Sequence, residues 1–98
     1  MYYDKEGKSI ELMEWGRLSE DKEYKIIKQE NIGKYWISTV WLGLGHNFDD
    51  GVPLIFETMV FERKDGKVDF LALDCDRYST LKEAEEGHKK MVEIWSKK

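Results

Sequence analysis

His46, Asn47, Asp49 and Asp50 stand in one stretch of the chain, and Asp74, Asp76, Arg77 and Tyr78 stand in another further on. An imidazole among carboxylates can hold a divalent cation or act as a general base. That chemistry would be a metal-assisted hydrolysis using His46 with Asp74 and Asp76. A guanidinium is a planar fork of donors that grips a phosphate or a carboxylate, and a phenol beside it adds a hydroxyl and a flat ring. That chemistry would be non-covalent capture of an anion by Arg77 and Tyr78, with His46 and Asp76 at the rim. Each reading has a plainer rival. The spacing fits no established metal motif, Asp49-Asp50-Gly51 is too short for a calcium loop, and a solvated acidic turn uses the same residues. An Asp–Arg pair that pins the turn from strand to helix would use Arg77.

Other residues join these on pattern. Glu57 alternates with Ile55, Met59 and Phe61 on a strand face that is otherwise apolar. It is either exposed or buried and paired, with Arg17 and Arg77 as the available cations. Trp41 can wall an aromatic pocket or belong to the core. The expected ligand-binding set is therefore His46, Glu57, Asp76, Arg77 and Tyr78 with Trp41, and no catalytic residue is assigned. His88 sits on the apolar stripe of a helix and is expected to be a core histidine bonded to backbone or to a carboxylate. Cys75 is the single cysteine. An internal disulfide and a Cys-based zinc site are excluded, and Cys75 reads as packed rather than nucleophilic. Gly43-Leu44-Gly45 lacks the third glycine of a dinucleotide loop. No Walker lysine and no Gly-x-Ser-x-Gly elbow occurs. No cofactor is expected.

The elements that must position these residues follow from hydrophobic period. Tyr24–Gln29 reads as a strand and Asn31–Lys34 as a turn. Tyr35–Leu42 is the strongest strand, nearly all β-branched or aromatic. A loop of residues 43–53 leads to a third strand, Leu54–Glu62. Asp65-Gly66 marks a hairpin, and Val68–Leu73 is the fourth strand. The period then becomes helical: Thr80 and Glu83 form a capping box, and Leu81, Ala84, His88, Met91, Val92 and Trp95 share one face. Gly87 lies beside that stripe, which points to close approach of helix and sheet. Residues 9–18 suit a short strand or a short helix capped by Ser9, and residues 1–8 are expected to be loosely held. The expected fold is one α+β domain over residues 1–98, an antiparallel four-stranded meander with the C-terminal helix packed on one face. In a meander the loop after the second strand and the end of the fourth meet at one edge. His46 and Asp74–Tyr78 should therefore be neighbours.

Composition bounds the function. Of 98 residues, 37% are charged and 13% aromatic, and the net charge is -4. One domain fits that length. Scattered Lys and Arg in an acidic chain argue against nucleic acid as partner. No apolar run approaches a membrane span or a signal peptide, so a cytoplasmic protein is expected. The second strand is apolar on both faces: Tyr35, Ile37 and Trp41 one way, Trp36, Val40 and Leu42 the other. One helix covers one face. The N-terminal segment with Trp15 and Leu18, a second subunit in a homodimer, or another molecule must cover the other.

Two blocks carry a resemblance. One runs Ser38-Thr39-Val40-Trp41-Leu42-Gly43-Leu44, then His46 and Phe48, then Pro53 through Phe61. The other runs Leu73 through Thr80, then Ala84, Gly87-His88 and Met91-Val92. Together the chain resembles, over roughly Glu14–Trp95, a family of small proteins encoded by bacteriophages, prophages and bacteria. Members often carry an acidic residue before the loop histidine, where this chain has Gly45. The resemblance implies a phage or prophage gene product and no defined activity. The expected function is a small non-enzymatic binding protein that occupies a host or defence protein or sequesters a small anionic, nucleotide-like ligand. The alternative is the metal-assisted hydrolase built on His46, Asp74 and Asp76.

Overall fold

Tight turns at Gly33-Lys34 and Asp65-Gly66 join neighbouring strands, because their residues accept the backbone those turns require. The computed structural model describes residues 1–45 and 53–98. β1 (Tyr2–Tyr3) pairs with β2 (Ser9–Ile10), then come α1 (Leu12–Glu20) and α2 (Lys22–Lys25). β3 (Ile26–Ile32), β4 (Tyr35–Trp41), β5 (Phe56–Lys64) and β6 (Lys67–Tyr78) form an antiparallel sheet in the order β3-β4-β5-β6. α3 (Leu81–Ser96) packs on one face of it. The architecture is thus the α+β meander that the period predicts. Asp65 and Gly66 both take positive φ, 53° and 77°, as a two-residue hairpin of twisted strands requires. Among the described residues no helix is long and apolar enough to cross a membrane.

Four local expectations shift. Residues 22–25 are a helical turn, not the start of a strand, because the Asp21 carboxylate accepts the backbone N–H groups of Glu23 and Tyr24. Both readings of residues 9–18 hold in part: Ser9–Ile10 is strand, and the helix that follows is capped at Glu11 without a side-chain bond, not at Ser9. The first residues are anchored, since Tyr3 N–H donates to the Gly43 carbonyl at 2.8 Å and Tyr2 bridges to Leu44. Finally, Asp74–Tyr78 continues β6 as strand. Val60 pairs with Asp74 but Glu62 pairs with Asp69, so Phe70–Leu73 form a wide bulge.

The core lies between α3 and the sheet. Trp41, Ile55, Phe56, Tyr78 and Ala84 make one buried cluster, and Ile37, Val60 and Met91 another. α1 closes the end of the sheet where β4 stops: Trp15 and Leu18 pack on the first cluster, and the Trp15 indole N–H donates to the Leu42 carbonyl at 2.9 Å. The far face of the sheet carries an aromatic row instead. Trp36 lies 5.8 Å from Phe61, and Phe61 lies 5.6 Å from Phe70, ring centre to ring centre.

Candidate functional site

β5 and β6 divide the expected site between the two faces of the sheet. Glu57 is opposite Arg77, whereas Thr58 is opposite Asp76 and Phe56 opposite Tyr78. Successive side chains of a strand alternate, so Glu57 and Arg77 lie on the far face, and Asp76 and Tyr78 on the face under α3. At the sheet edge, however, Asp76, Arg77 and Tyr78 all line one open groove of about 590 Å³ with Glu83 and Gly87 of α3. His46, Asn47, Asp49 and Asp50 lie outside the described residues. The ends of β4, β5 and β6 do meet as the meander demands, with Ile55 N–H donating to the Tyr78 carbonyl at 2.9 Å.

On the far face, Glu57 is buried at 8% exposure. Arg77 Nε donates to Glu57 Oε2 at 2.9 Å, and the Cys75 thiol donates to the same oxygen at 3.4 Å. Of the two candidate cations, Arg77 takes the role; Arg17 pairs with Glu14 at the surface of α1. A buried carboxylate without a partner costs several kcal/mol, so the Arg77 contact is what lets Glu57 sit there. Cys75 is exposed as a residue, yet partial burial of its thiol raises its pKa, and the Glu57 carboxylate pushes it the same way. A thiol held protonated is a poor nucleophile.

Under α3, Tyr78 is buried with its ring against Gly87, where an added Cβ would stand 2.2 Å from the ring. Burial raises the Tyr78 pKa, and the neighbouring Thr58 hydroxyl partly offsets this. The Tyr78 hydroxyl makes no well-aligned hydrogen bond among the described residues. From Thr58 a polar string crosses the sheet. Thr58 bonds Thr39, Thr39 Oγ1 bonds His88 Nδ1 at 2.7 Å, and His88 Nε2 bonds Glu30 Oε1 at 2.9 Å. His88 is thus a core histidine held by a carboxylate, as its place on the apolar stripe predicts. The order carboxylate, imidazole, hydroxyl has the form of a nucleophilic triad. Thr39 is 0% exposed, however, so no substrate reaches its hydroxyl.

Asp76 is exposed, and its Oδ1 accepts the Arg77 backbone N–H. Asp74 Oδ1 accepts Cys75 N–H and its Oδ2 accepts the Trp95 indole N–H at 3.1 Å. Among the described residues no three His, Cys, Asp or Glu side chains come close enough to share a metal ion. Trp41 is fully buried in the core, its indole N–H donating to the Tyr3 carbonyl at 3.1 Å.

Two features escape the reading by residue type. One is a cavity on the far face where Trp15, Ser19 and Lys25 join Glu57 and Arg77. Lys25 carries no signal in the sequence that would mark it. The other is a ridge on β6: Phe70 and Leu71 are each 75% exposed and Leu73 is 46% exposed. Its signal was present, since four consecutive apolar residues, Phe70-Leu71-Ala72-Leu73, do not alternate as a half-buried strand should. No family model, curated protein or solved structure matches the chain.

Proposed function

We propose that this chain is a non-enzymatic binding protein of the phage or prophage type, and that it occupies a host protein through the β6 ridge. The observation that carries the reading is the exposure of Phe70, Leu71 and Leu73 together on an edge strand. Scattered exposed apolar residues are ordinary; a contiguous group on an unpaired edge is what interaction surfaces use. Asp69 flanks the ridge on one side and Asp74 and Asp76 on the other. That rim favours a partner that offers an apolar groove bordered by Lys or Arg.

The same carboxylates disfavour a second copy of this chain as the occupant. An antiparallel β6–β6 pairing centred on the ridge sets Asp69 of each copy against Asp74 of the other. Like charges directly opposite in a sheet are destabilising. The interior argues for binding rather than turnover: Glu57, Arg77 and His88 are engaged with one another or with the fold, and the triad-like array among the described residues is sealed.

The test is affinity capture from bacterial lysate with the wild-type protein and with Leu71→Lys as bait. The substitution lies at an exposed position and should leave the melting temperature unchanged. A host protein retained by the wild type and released by Leu71→Lys supports the reading. Equal retention by both baits, or none by either, contradicts it.

A further inference from the structure

We propose that the far-face cavity between α1, α2 and the ends of β4 and β6 binds a small oxyanion carried on a flat ring. This site is separate from the β6 ridge and does not depend on it. The cavity measures about 390 Å³ and is walled by Trp15, Leu42 and Leu44, with Ser19, Lys25, Glu57 and Arg77 supplying its polar groups. That is near the small end of ligand pockets, roughly 300–1,000 Å³.

The charges favour an anion. Among the described residues two cations face one carboxylate, in a chain whose net charge is -4. Among the described residues Lys25 has no carboxylate within ion-pair distance. Arg77 spends only Nε on Glu57, so among the described residues its two terminal amino groups are left to donate. Glu57 thereby holds the guanidinium in one orientation, and a fork already oriented loses less freedom when an oxyanion arrives. The apolar walls flank the charges on one side, while the Arg77 side chain stays 44% exposed and open to an incoming anion.

The wall is rigid, which suits a ring. The Trp15 indole is fixed by its bond to the Leu42 carbonyl, and Tyr2 lies 5.1 Å away, ring centre to ring centre. Between Leu42 and Leu44, Gly43 takes φ of 71°, and an added Cβ there would stand 2.8 Å from the Trp15 ring. Glycine therefore lets the indole seat against the backbone. The Ser19 hydroxyl donates to the Gly16 carbonyl, which leaves its oxygen as an acceptor for an N–H or O–H on the ligand. Nucleoside monophosphates and aromatic carboxylates share the required chemistry, an oxyanion on a flat ring.

The experiment is a titration at low salt followed by amide and indole NMR shifts. The probes are adenosine 5′-monophosphate, benzoate, inorganic phosphate and adenosine. The proposal expects adenosine 5′-monophosphate or benzoate to shift the Trp15 indole N–H and the Ser19 and Lys25 amides. It expects that anion to bind at least about tenfold more tightly than phosphate or adenosine, a difference of about 1.4 kcal/mol. Which ring-bearing anion responds identifies the oxyanion, phosphate or carboxylate. Lys25→Gln should weaken binding about tenfold or more while the fold stays intact. The double substitution Glu57→Gln with Arg77→Gln strands no charge and should abolish it. Leu71→Lys should leave it unchanged. Binding is absent, adenosine equals its monophosphate, the shifts map elsewhere, or Lys25→Gln binds normally: any of these overturns the proposal.

Discussion

At Gly87 two effects of opposite sign meet, and their sizes decide the outcome. Alanine would gain about 1 kcal/mol in helix propensity. Its methyl would also stand 2.2 Å from the Tyr78 ring, and overpacking of that kind costs roughly 1–3 kcal/mol. Gly87→Ala should therefore lower stability in a denaturant titration; a stabilised variant would show that helix and ring can part at little cost. At Glu57 the sign follows from burial. Arg77→Ala leaves the carboxylate at 8% exposure without its cation, and should cost about 1–3 kcal/mol in chemical denaturation. Combining Glu57→Gln with Arg77→Gln should cost less, because no charge is stranded. At Cys75 the raised thiol pKa means less thiolate at neutral pH. Alkylation should be slower than for a free cysteine, rise only as pH passes the ordinary thiol range, and speed up in Glu57→Gln. His88 offers a spectroscopic check. The ionised Glu30 carboxylate only accepts, so Nε2 carries the proton and, in the neutral ring, Nδ1 accepts from Thr39. Nitrogen shifts of the neutral imidazole should report the Nε2–H tautomer; the other tautomer would break the string between Glu30 and Thr58.

Among the elements, α3 is the one whose start is written most clearly in the chain. Thr80 Oγ1 accepts Glu83 N–H at 3.1 Å, and Glu83 Oε1 accepts Thr80 N–H at 3.2 Å. Thr80→Ala removes half of that box and should cost about 1 kcal/mol. The meander was equally legible, because β4 is nearly all β-branched or aromatic and Asp65-Gly66 sets a hairpin by backbone conformation alone. Where local and tertiary signals compete, period fails. Tyr24 alternates correctly with Ile26, yet the Asp21 side chain caps a helical turn through Lys25. Along β6 a three-residue change of register hides the far end of the strand, so Asp74–Tyr78 looks like a connection when it is the last part of the sheet. That shift also matters for the site. It puts Arg77 on the far face with Glu57 and Tyr78 under α3, and the two meet again only at the sheet edge, where both line the groove beside α3.

For the whole molecule, the coexistence of many charges and many aromatics resolves by location. Trp41 and Tyr78 fill the core under α3, with Trp15 and Trp95 packed at its margins. Trp36, Phe61 and Phe70 line the far face, where α1 covers only the end near Glu57 and Arg77. Pairing of Glu57 with Arg77 was readable as one of two options; the gathering of Lys25 and Trp15 at the same cavity was not, because tertiary folding alone brings them there. At this scale the proposed function rests on the β6 ridge. The most direct measurement is calorimetry of the captured host protein, purified, against the wild type, Leu71→Lys and Lys25→Gln. The account predicts that Leu71→Lys weakens binding about tenfold or more, while Lys25→Gln matches the wild type. Equal affinity for the wild type and Leu71→Lys would contradict it.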